Sequence, residues 1–108
     1  MASVVATNFI EPVASKLNER VGIAISYTVF GEEKVRELTF KGFRVAGSKI
    51  RELFADNAVS KLCICAANED VGDVQRIIVE LASSRKHERT GKNLVNSGRA
   101  WFMEFNKE

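Results

Sequence analysis

Residues 23 to 29 alternate without a break. Ile23, Ile25, Tyr27 and Val29 are large and apolar, and Ala24, Ser26 and Thr28 between them are small. Successive side chains of an extended strand point to opposite faces, so this pattern predicts a strand whose large residues are buried. A buried strand face requires neighbouring strands and a covering layer, which makes the rest of the chain a search for both.

The partner strand follows at once. Gly31-Glu32-Glu33-Lys34 is a turn sequence, and the run from Val35 to Val45 returns as the second arm of an antiparallel hairpin. Leu38 and Phe40 share one parity and Phe43 and Val45 the other, so a bulge is expected at Gly42. Leu62-Cys63-Ile64-Cys65-Ala66-Ala67 is a continuous apolar run, too short for a helix and suited to a strand covered on both faces. Ala100 to Phe105, rich in aromatics, reads as the last strand.

Covering helices are legible from the 3.6-residue period. Phe9, Val13 and Leu17 form a stripe after a cap at Thr7 or Asn8. Pro12 is then tolerable in the first turn, where amides have no intrahelical acceptor to lose, and Gly22 ends the helix. Gly47-Ser48 is expected to cap a short helix carrying Ile50, Leu53 and Phe54. Val71, Val74, Ile77, Ile78 and Leu81 form the longest stripe, with Asp70 and Asp73 as its capping pair. The stretch from Lys86 to Gly98 is read as a polar loop.

The resulting order, α-β-β-α-β-α-β, predicts a single α+β domain over residues 1–108. Its sheet is expected to be mixed and four-stranded, with helices packed on it. The strand-helix-strand unit from Lys61 to Phe105 is expected to hold its two strands parallel through a crossover. The chain's 108 residues, 45% hydrophobic and 28% charged, supply enough apolar surface for such a core.

Cys63 and Cys65 are two residues apart, and a bridge between them would be strained. With no other cysteine and no signal-peptide pattern, the expectation is a reduced, cytoplasmic protein. No apolar run approaches the roughly 20 residues that span a bilayer, so no membrane partner is expected. Cys63, Cys65 and His87 are three soft ligands where a structural zinc takes four, and no metal or cofactor is expected. His87 sits between Lys86 and Arg89, a solvated setting rather than that of a general base oriented by a third group. No catalytic residue is assigned, and the reading is a non-enzymatic binding module.

Charge decides what such a module would bind. The net charge is only +2, yet residues 85–99 contain five basic residues against one acid, a local excess of +4. Arg85, Lys86, Arg89, Lys92 and Arg99, interspersed with Thr90, Gly91, Asn93, Asn96, Ser97 and Gly98, combine phosphate-contacting cations with small positioning residues. These five are the candidate nucleic-acid-binding residues. Gly91-Lys92 lacks the paired glycines and preceding strand of a phosphate-binding loop. Lys41-Gly42-Phe43 opens like the RNP1 signature of RNA-recognition motifs, but Arg44-Val45-Ala46 departs from it. The alternative is a protein-interaction module (an inhibitor, adaptor or assembly subunit) acting as a homo-oligomer. For that reading the last strand is placed at the sheet edge, and Phe43 and Phe102 are the candidate interface residues.

Overall fold

The computed structural model describes residues 3–82, 87–94 and 98–106, with side chains described for 9–82, 91–94 and 98–106. Three helices and five strands follow in the order α1 (Ser3–Ala14), β1 (Ile23–Val29), β2 (Arg36–Phe40), α2 (Phe43–Ala55), β3 (Val59–Ala66), α3 (Val71–Leu81), β4 (His87–Leu94) and β5 (Gly98–Phe105). A single 3-10 turn, Asn68–Asp70, leads into α3. The strands lie in the order β2-β1-β3-β5-β4, and every neighbouring pair is antiparallel. None of the helices among the described residues is long and apolar enough to cross a membrane.

The α+β class is as expected, but the sheet differs in strand number and direction. The segment read as a polar loop forms β4, a fifth strand. An outer strand is paired on one side only and is commonly blunted with charged residues, so it need not show apolar alternation. Its presence also explains why β3 and β5 are antiparallel rather than parallel. The α3 crossover delivers the chain to β4, which runs parallel to β3, and the β4–β5 hairpin then turns back between them. The β2-α2-β3 crossover repeats this plan around β1.

Register aligns residues of like parity across the sheet. Leu38, Ile25, Ile64, Trp101 and Gly91 form one row, from β2 to β4. This row belongs to the face under α2 and α3, where Ile50, Leu53, Phe54, Val74, Ile77 and Ile78 complete the larger core. Ala24, Cys63, Cys65, Ala100 and Phe102 face the other way and are covered by Ile10 and Val13 of α1. The small residues of the β1 alternation therefore also face a core, because α1 lies over them.

Two helix starts differ from expectation. α1 begins at Ser3, which puts Pro12 in its last turn rather than its first. Beyond it, Asn18 Oδ1 accepts hydrogen bonds from the backbone N–H groups of Arg20 (2.8 Å) and Val21 (3.1 Å), a local turn that brings the chain to β1. α2 begins at Phe43, so Gly42 is its cap residue and not a bulge, and Gly47 lies inside the helix. Gly47 is there for packing: a Cβ on it would stand 3.0 Å from the Phe43 ring, one turn earlier.

No side chain next to Gly42 caps α2. The nearest acidic group is Asp70, whose carboxylate faces the Phe43 N–H and lies against Gly22, where a Cβ would be 2.5 Å from Asp70 Oδ2. Asp70 thus ties the starts of β1, α2 and α3 together, and makes no side-chain cap to its own helix. Burial, then Glu69, then Asp73 raise its pKa, while the Phe43 hydrogen bond opposes the rise. An acid with a raised folded pKa binds its proton more readily when folded, so its stability contribution declines as pH climbs from about 4 through the folded value. Asp70→Asn keeps an acceptor for Phe43 and sheds the charge. It is expected to match or exceed wild-type stability at pH 7 and to flatten the pH dependence, whereas Asp70→Ala loses about 1 kcal/mol with that acceptor. Urea unfolding at pH 4 and pH 7 reads both.

Candidate nucleic-acid interface

The β4–β5 hairpin carries the basic segment on the outer margin of the sheet. Arg85 and Lys86 lie outside the described residues. Position 89 pairs with Met103, and Arg99 pairs with Asn93, so both belong to the face under α2 and α3. Lys92 pairs with Ala100 and belongs to the α1 face. Strand alternation therefore separates Lys92 from Arg89 and Arg99, and the segment does not gather on one face.

Arg99 is the best-positioned cation of the group. Its Nε donates to Asn93 Oδ1 at 3.2 Å, and its Nη1 donates to Gln75 Oε1 at 3.0 Å. Asn93 is its register partner on β4, and Gln75 comes from the first turns of α3. Both acceptors are neutral amides, so the guanidinium is oriented without its charge being cancelled, and its remaining N–H donors keep the planar fork that suits phosphate. Lys92 is exposed and pairs with no acid among the residues whose side chains are described. Gly91, beside Lys92 in β4, packs over the buried Trp101 indole, where an added Cβ would meet Nε1 at 3.6 Å, an ordinary contact distance.

The contrast with other cations is informative. Lys16 pairs with Glu37, Arg36 with Glu32, Lys49 with Glu52, Arg51 with Glu80 and Arg76 with Asp73. The Arg51–Glu80 pair ties α2 to α3, and Glu80 is held below the usual carboxylate range by that hydrogen bond. Lys49 and Arg51 are thereby balanced by acids. Lys41 and Arg44 have no ion pair among the described residues and stand where β2 passes into α2. Phe40, Ile23, Ala66 and Arg99 are aligned across the sheet, so Lys41 and Arg99 mark the same end of it. Three strand spacings separate them, about 14 Å.

The two candidate interface aromatics are both packed. Phe102 is 2% exposed and meets Phe9 edge to face, with ring centroids 5.5 Å apart. β5 lies between β3 and β4, so the edge position expected for it belongs to β4. Phe43 is partly buried against the larger core. Sequence reasoning missed Gln75, whose role depends on a register that only the folded sheet reveals.

Chemistry elsewhere is limited. The Cys63 and Cys65 sulfurs are 3.9 Å apart in the α1-side core, and the Cys65 hydrogen bond, then burial, push the Cys63 thiol far up. Such a thiol is not a nucleophile. Among the described residues no three His, Cys, Asp or Glu side chains converge on a metal-sized site. A shallow cleft of about 360 Å³ opens beside Phe9, Val35 and Lys61. Two hydroxyls at its wall, Thr28 and Ser60, are hydrogen-bonded to each other at 2.9 Å. No family of known proteins, no curated protein and no solved structure matches this chain.

Proposed function

We propose that this chain is a non-enzymatic module that binds nucleic acid through phosphate contacts from the β4–β5 margin. The observation that carries the reading is Arg99, a guanidinium aimed by two neutral amides and left with its full charge. Position 89 lies on the same face, four residues along β4 from Asn93, the register partner of Arg99. Lys41 and Arg44 add positive charge at that end of the sheet, which they share with the carboxylates of Glu69, Asp70 and Asp73. A 14 Å span covers roughly four nucleotide steps of a B-form strand, enough for several phosphates to be met at once.

Contacts of this kind bring register but little sequence preference. Binding of a fluorescent duplex, followed by anisotropy, is expected to fall steeply between about 50 and 200 mM salt, with little change when the duplex sequence is scrambled. Affinity that is indifferent to salt, or no binding at the lowest salt, overturns the reading.

A further inference from the structure

The outer side of β4 pairs with no described strand, and acidic and basic residues share one of its faces. On the α1 face, Lys61 is aligned with Glu104, and Glu104 with Glu88. Two acidic positions thus stand side by side at the end of a row, and like charges directly opposite one another destabilise a strand pair. Lys92, on the same face of β4, is exposed and pairs with no acid among the residues whose side chains are described. No described strand stands outward of Glu88.

Geometry restricts what can fill it. When a strand pairs with a copy of itself about a two-fold axis normal to the sheet, each face continues into the same face of the copy. Opposed residues must then share parity. About Thr90, Glu88 opposes the partner's Lys92, Lys92 opposes the partner's Glu88, and Arg89 opposes the partner's Gly91. Centring one residue earlier sets Arg89 against the partner's Arg89. Centring one residue later sets Glu88 against the partner's Leu94. Only the Thr90 register, among these, gives reciprocal opposite charges.

The neighbouring helix points the same way. Gln75 reaches Arg99 on the β4 side of α3, and Glu80 reaches Arg51 on the α2 side. Val79, one turn beyond Gln75, therefore lies on the β4 flank, where it is 58% exposed. We infer that two copies of this chain join edge to edge through β4, antiparallel about Thr90, forming one ten-stranded sheet with the Val79 flanks of both α3 helices above the seam. The interface uses Glu88 and Lys92 on the α1 face, leaves positions 89 and 99 on the other, and does not depend on nucleic-acid binding.

Sedimentation equilibrium across a concentration series tests this. The wild type is expected to dimerise reversibly. Lys92→Glu and Glu88→Lys each create two like-charge pairs and raise the dimer Kd about tenfold or more. The double charge swap rebuilds both pairs and restores the wild-type value to within about threefold. Thr90→Cys, on the axis, is expected to give a covalent dimer on mild oxidation, and it reads the register even if a charge variant folds poorly. A chain that stays monomeric at every concentration overturns the inference, as does a dimer that the swaps leave unchanged or a Thr90→Cys variant that fails to cross-link.

Discussion

Gly98→Ala is expected to cost about 4 kcal/mol or more, a large part of the stability of a domain this size. Gly98 opens β5 at φ +118°, a conformation that L side chains rarely adopt. A Cβ there would also sit 1.8 Å from the Ala66 carbonyl oxygen and within 3 Å of the backbone of Ala67. Those atoms belong to the end of β3 and the chain just after it, so relief requires the two central strands to separate. Gly31→Ala separates the two causes. Gly31 has φ +81° but nothing within 4 Å of its added Cβ, so it bears only the conformational penalty of roughly 1–2 kcal/mol. Parallel urea titrations should show Gly98→Ala much the weaker of the two. Equal losses would mean that β3 and β5 do not approach as described.

Phe102→Ala is expected to cost about 3–5 kcal/mol, the range for removing a buried aromatic ring. Its ring closes the smaller core between the sheet and α1, beside Cys63, Ala100 and Phe9. The loss should not vary with protein concentration, because the ring contacts its own chain. A change below about 1 kcal/mol, or one that appears only where copies associate, would place Phe102 at a surface instead.

The strands with buried faces were legible because each is covered within its own pattern. The alternation of Ile23–Val29, the apolar run of Leu62–Ala66 and the stripe of Val71–Leu81 each predict the element found. β4 was not legible. His-Glu-Arg-Thr-Gly-Lys-Asn-Leu has no apolar period, and its strand character comes from the ladder that β5 offers. Missing that strand also misdirected the crossover, since the parallel partner of β3 is β4 rather than β5. The start of α2 was hidden for another reason. The carboxylate that faces it, Asp70, comes from the turn after β3, and a local reading of Lys41-Gly42-Phe43 shows only a glycine that resembles a bulge.

The site was legible in part. Charge counting found the segment that holds Arg89, Lys92 and Arg99, but strand parity, invisible until β4 is recognised, divides those residues between two faces. Arg99 stands out only with the register in hand, which sets Asn93 beside it and Gln75 over it.

Repeating the salt titration on an Arg89→Gln, Arg99→Gln variant tests the proposed function most directly. Loss of two phosphate contacts should weaken binding to every duplex alike and make the slope of log K against log salt shallower by about 1.8. A variant that binds as tightly as the parent, with the same slope, would contradict a phosphate-contacting role for this face of the hairpin.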